Sequence, residues 1–195
     1  MSSTDDLVRS FGMSGLLLTD DLKGVEQQFG VELGHVSRAA AAPEEDYYVQ
    51  FELAVRNEAA EMSAHYRVFY CLETSIRKLI TETLLEAHGA GWWDSGCIPE
   101  NIALDVKNRI KTEIESGVTQ RSDAHIDYTT FGELSNIIAK NWDLFTTIFK
   151  NRQAVDRIMK NLNVLRGPIA HCCPLADDEI VRLRLSIRDW FRMIG

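Results

Sequence analysis

The sequence predicts an all-α protein, a helical bundle of four to five main helices behind an acidic N-terminal extension. Two observations carry this. Apolar residues recur three and four apart along most of the chain, with almost no strand-like alternation. Among 195 residues there are only 12 glycines and 4 prolines, and several of them close or open the periodic runs. The chain is long enough for one domain with a real core plus an extension.

The extension comes first. Residues 1–62 carry twelve acids against four bases, which accounts for the whole net charge of −8. Within residues 1–38 only Leu18, Leu22, Val25 and Phe29 suggest a short helix, and Ala39 to Pro43 reads as a linker. The domain assignment is therefore 1–42 as an acidic extension, suited to binding a partner, and 43–195 as the helical domain. A helix is expected over Glu44 to Glu61, carrying Tyr48, Phe51 and Val55.

The strongest stripe follows between Met62 and His88: Phe69, Leu72, Ile76, Leu79, Ile80, Thr83, Leu84 and Ala87, closed by Gly89. Trp92 and Trp93, after a Gly-Ala-Gly turn, read as core or lid residues. Pro99 can open the next helix, with the stripe Ile102, Val106, Ile110 and Ile114 and a stop at Gly117. Residues 118–128 are polar and read as a loop. Thr130 and Glu133 then stand at capping-box spacing ahead of Phe131, Leu134, Ile137 and Ile138, followed by Trp142, Phe145 and Phe149. A further stripe, Val155, Ile158, Met159, Leu162 and Leu165, is expected to break at Gly167-Pro168. The last helix starts near Asp177 or Asp178 and should bury Ile180, Leu183, Ile187, Trp190, Phe191 and Ile194.

Composition excludes several classes. The longest apolar runs, Leu16 to Leu18 and Ala39 to Ala42, fall far short of the roughly 20 residues of a membrane helix. Met1 to Asp6 is polar and acidic, unlike a secretory leader, so a cytoplasmic protein with reduced cysteines is expected. Cys71, Cys97, Cys172 and Cys173 lack C-x-x-C spacing, and His35, His65, His88 and His125 lack the H-E-x-x-H pattern, so neither a metal nor a cofactor is expected. No phosphate-binding glycine loop is present. From Lys150 onward nine bases face five acids, which fits either solvated helix faces or a tail that meets a polyanion.

One segment holds chemistry: Leu165-Arg166-Gly167-Pro168-Ile169-Ala170-His171. On an unbroken helix Arg166 and His171 would lie about 140° apart. A break at Gly167-Pro168 would let them aim at one point. Arginine offers a permanent fork that matches a phosphate, and histidine can take or give a proton near neutral pH. The bland reading of the same pair is two charges near a helix C-terminus. Glu73 and Arg77, four apart on the strongest helix, are either a simple surface pair or residues that flank such a site.

Tyr66-Arg-Val-Phe-Tyr-Cys-Leu-Glu73-Thr-Ser-Ile-Arg77, Gly91-Trp92-Trp93, Ile137-Ile-Ala-Lys-Asn-Trp142 and Leu165 to His171 follow one another in an order that resembles the HEPN superfamily. The resemblance is to the branch that also forms the terminal helical domain of the eukaryotic Swt-type mRNA-surveillance endonuclease, and it spans about Met62 to Ile194. It implies a HEPN-like bundle that forms a homodimer with RNA as substrate. In such a dimer the paired Arg-x4-His motifs compose one metal-independent ribonuclease site. Arg166 would bind phosphate and His171 would be catalytic, with Glu73 or Arg77 facing the site from the long helix. Products would carry 2′,3′-cyclic phosphate and 5′-hydroxyl ends. The resemblance also implies a toxin or antiphage-defence role, with an antitoxin or regulatory protein as partner. Two positions depart from the family's usual pattern. Gly167 stands where active members often place a polar residue, and Cys173 where some toxins have a tyrosine. The alternative is a non-catalytic HEPN dimer that binds RNA or docks proteins.

Overall fold

A computed structural model describes residues 18–19, 21–26, 28–29 and 48–194. The chain divides into two compact units, Met1–Leu53 and Ala54–Gly195. In the first, the described residues between 18 and 29 are helical, as the Leu18/Leu22/Val25/Phe29 spacing predicts, and Tyr48–Gln50 forms a short 3-10 turn. The expected linker at residues 39–43 lies outside the described residues.

The second unit is all-α. Its elements are α1 (Leu53–His88), α2 (Glu100–Glu115), α3 (Phe131–Lys140), α4 (Arg152–Ala170) and α5 (Asp177–Met193), with a single turn Trp142–Phe145 between α3 and α4. No strand occurs among the described residues, and no helix there is long and apolar enough to cross a membrane. The two helices expected over 44–61 and 62–88 are one helix of 36 residues starting at Leu53. Nothing between Leu53 and His88 breaks it, since the segment holds neither Pro nor Gly.

The α1 stripe Phe69, Leu72, Ile76, Ile80 and Leu84 is buried, while Ala87 in the last turn is exposed. Gly89 closes the helix with φ +73°, a conformation that a β-carbon disfavours. Phe69 meets Phe131 of α3 at 5.2 Å between ring centroids. α4 packs against both α3 and α5, with Val155, Ile158, Met159, Leu162, Leu165 and Ile169 turned inward. Trp190 of α5 lies on Phe149 at 5.2 Å and closes that end of the core. Trp92 is buried and Trp93 is half-buried, stacked on His125 at 5.2 Å.

Two stripes are corrected at their ends. In α2, Ile114 is exposed and Glu113 is buried instead. At about 100° per residue, Glu113 lies ~20° from Ile102 around the helix and Ile114 ~120° from it, so apolar character alone misplaces the last turn. In α5, Phe191 is exposed and Ser186 occupies the buried face with Leu183 and Trp190, while Ile194, expected in the stripe, follows the helix end and is exposed. The loop expected over 118–128 contains a 3-10 turn, His125–Tyr128, with Ile126 and Tyr128 buried. Buried Glu113 is what pins it. Its carboxylate accepts from the Arg121 backbone N–H (2.6 Å), from Arg121 Nε (2.7 Å) and from the Tyr128 hydroxyl (3.2 Å).

The capping box is present: Glu133 N–H donates to Thr130 Oγ1, and the Thr130 N–H donates back to Glu133. The same carboxylate takes both Nη groups of Arg109 at 2.8 Å. Burial by itself pushes the Glu133 carboxyl up. The Arg109 and Thr130 donors together outweigh it and hold the group below the ordinary value of 4.5. A lowered carboxyl stabilises the fold above its unfolded-state value, and that contribution is lost as pH falls through the folded value. Thermal stability is therefore expected to drop as acid is added through and below the carboxylate range. Glu133→Gln, which has no such titration, should show a shallower acid limb in melting temperature against pH. Parallel limbs would rule the linkage out.

The expected break at Gly167-Pro168 is absent. α4 runs through both residues and ends after Ala170. Proline removes one N–H from the ladder, the one that would bond Val164. Val164 is 72% exposed, so water can satisfy its carbonyl. The true stop is one turn later. The His171 N–H bonds back to the carbonyls of Gly167 (3.0 Å) and Pro168 (3.2 Å), Cys172 adopts φ +54°, and the Cys173 N–H reaches the Pro168 carbonyl at 2.9 Å. Pro174 follows and cannot extend the helix.

Candidate functional site

A cleft of about 560 Å³ lies between α1, the last turns of α4 and the 127–129 segment. α1 contributes Tyr66, Tyr70, Glu73 and Arg77, spaced four, three and four apart, so they form a second stripe roughly a quarter-turn from the buried one. α4 contributes Arg166, Ile169 and Ala170, and the far wall holds Arg121, Asp127 and Thr129. A second cleft continues along α1 and shares Tyr70, Thr74, Arg77, Arg121 and Asp127 with the first. A smaller cavity of about 380 Å³, lined by Trp142 and Arg152 among others, shares no residue with either.

Three of the four side chains that the sequence nominates meet here. Glu73 joins two arginines: Oε1 accepts from Arg77 Nη2, and Oε2 accepts from Arg166 Nε at 3.0 Å. Both Nη groups of Arg77 are committed. Its Nη1 also donates to the Ile126 carbonyl and to Thr129 Oγ1 (2.7 Å), and its Nη2 to the Thr129 carbonyl (2.9 Å). It is thus half-buried and ties α1 to the 126–129 turn. Arg166 is differently placed, with 37% of its side chain exposed. Glu73 holds the guanidinium at Nε, while Nη1 and Nη2 have no hydrogen-bond partner among the described residues. An arginine fixed at one edge with its outer fork open is oriented to receive an anion without first being ordered.

His171 is not in the cleft. With α4 unbroken, it caps the helix C-terminus as an exposed residue, and its imidazole has no hydrogen-bond partner among the described residues. The sequence reading passed over Tyr66 and Tyr70 as site residues, although their spacing to Glu73 and Arg77 is the signal that finds them. It also missed Arg121 and Thr129, which no local pattern connects to α1.

An all-α bundle built on one long helix, whose charged side chains meet the last turns of a later helix, has the frame of a HEPN domain. More particularly, the family model described as Swt1-like HEPN matches residues 67–195, and the chain belongs to that family. HEPN domains are often ribonucleases, commonly bind RNA and commonly dimerise. No curated protein and no solved structure matches the chain.

Proposed function

We propose that this chain is a metal-independent endoribonuclease that acts as a homodimer, with Arg166 and His171 of each protomer contributing to one composite site. The observation that carries the reading is the guanidinium of Arg166, held through Nε by Glu73 with its outer fork open to the cleft. That fork suits the two non-bridging oxygens of a phosphodiester and gains strength as charge gathers there in the transition state. His171 moves the protons, taking one from the ribose 2′-hydroxyl or giving one to the leaving 5′-oxygen. Within a single protomer the two residues point to different sides of α4. A two-fold arrangement lets one protomer's His171 serve the phosphate held by its partner.

Attack of the 2′-oxygen on phosphorus, with departure of the 5′-oxygen, leaves 2′,3′-cyclic phosphate and 5′-hydroxyl ends. The role proposed for this activity is that of a cytoplasmic toxin or antiphage-defence effector restrained by a protein partner, with the acidic residues 1–42 as the partner-binding segment. The test is incubation of the purified full chain with RNA in EDTA. Cleavage with cyclic-phosphate ends is expected. Intact RNA with the folded protein would refute the reading.

A second reading, a non-catalytic dimer that binds RNA or docks proteins, is favoured by the position of His171 outside the cleft and by Gly167 beside Arg166. It predicts RNA retention without cleavage in the same experiment.

A further inference from the structure

The cleft holds a feature that phosphate chemistry leaves unused. Tyr66 and Tyr70 are 58% and 60% exposed, with ring centroids 6.1 Å apart and planes tilted by 39°. Both line the cleft that contains Arg166, and neither hydroxyl has a hydrogen-bond partner among the described residues. Along α1 they stand about 10 and 5 Å from Glu73, the residue that holds Arg166. Stacked nucleotides advance about 3.4 Å per step, so the two rings lie one to three steps from a phosphate on Arg166.

We infer that Tyr66 and Tyr70 form a stacking platform for unpaired RNA bases beside the phosphate held by Arg166. The inference rests on the RNA reading above and extends it. A ring face accepts a base only when that base is free of its partner and can be splayed out. A duplex offers mainly phosphates and 2′-hydroxyls. The cleft's lining sets Arg77, Arg121 and Arg166 against Glu73 and Asp127. Glu73 and Arg77 are paired together and Arg121 is paired with Glu113, which leaves the Arg166 fork as the open cation and Asp127, whose carboxylate accepts from the Ser122 hydroxyl, as an anion on the far wall. A second copy of the chain seated on the tyrosines is the rival occupant.

The experiment measures binding separately from cleavage. A fluorescent 2′-O-methylated strand of about ten nucleotides lacks the attacking hydroxyl and is titrated with the full chain, alone and annealed into a duplex. Wild type is expected to bind the single strand about tenfold or more tighter. Tyr66→Ala with Tyr70→Ala should weaken single-strand binding about 10–100-fold and leave duplex binding unchanged, and the Phe pair, which keeps both ring faces, should restore it. The exposure of both residues means that melting temperature should not move, which separates a lost platform from a lost fold. Equal losses on strand and duplex, no loss, no binding by wild type, or a changed solution mass without a change in RNA affinity each overturn the inference, and the last identifies self-association. Cleavage that persists with a tyrosine-independent preference sinks the platform alone. Tyrosine-dependent binding without any cleavage sinks the nuclease alone.

Discussion

His171→Ala is expected to slow RNA cleavage by about 10²–10⁴-fold, the contribution of a positioned general acid or base. The fold should hardly register the change. The imidazole is exposed, has no hydrogen-bond partner among the described residues, and the helix stop uses only the backbone of residue 171. Surface substitutions of this kind stay within about 0.5 kcal/mol. Arg166→Lys makes a matched comparison: it keeps the charge but loses the fork and the Nε donor to Glu73, so it should also cleave poorly. Initial rates on one RNA, with melting curves on the same samples, decide the matter. Wild-type rates in both variants would remove Arg166 and His171 from the chemistry. If His171→Ala alone cut normally, the proton carrier would have to be sought elsewhere.

The largest effect on stability is expected from Arg77→Ala. This guanidinium serves four acceptors: the Ile126 carbonyl, Thr129 Oγ1, the Thr129 carbonyl and Glu73. The Ile126 carbonyl would keep the Thr129 N–H (3.1 Å) and Thr129 Oγ1 (2.7 Å) as donors, and Glu73 would keep Arg166. The carbonyl of buried Thr129 would be left without a donor among the described residues and with little access to water. A stranded buried acceptor costs about 1–3 kcal/mol, or roughly 2–12 °C in Tm. Arg77→Lys should recover only part of it, because one ammonium cannot span acceptors arranged for a planar fork. Denaturant midpoints for the three proteins measure this. A loss below about 0.5 kcal/mol in Arg77→Ala would mean that the 126–129 turn is held by its packing and not by the arginine.

The contrast between these residues marks what could be read in advance. Glu73 and Arg77 stand at i, i+4 and invite the reading of a surface pair, worth a few tenths of a kcal/mol. Both are in fact half-buried, because partners from far along the chain close over them. Residue type and resemblance nominated Arg166, but the carboxylate that orients it lies 93 residues earlier. The expected turn at Gly167-Pro168 was a reasonable inference from proline's missing N–H. It failed because the loss falls near a helix end, at the exposed residue Val164, where water can take the place of the missing donor.

By itself the sequence determined the helical class, the long apolar stripe of α1, the capping box at Thr130 and Glu133, and the family. These rest on periodicity, caps and residue order, which act over a few residues and are written locally. The tertiary structure alone decided that Glu113 is buried while Ile114 is not, that one carboxylate joins two arginines, and that His171 stands apart from the cleft. Each of those depends on which surfaces meet when helices pack, and burial, unlike helical period, is a property of the neighbours.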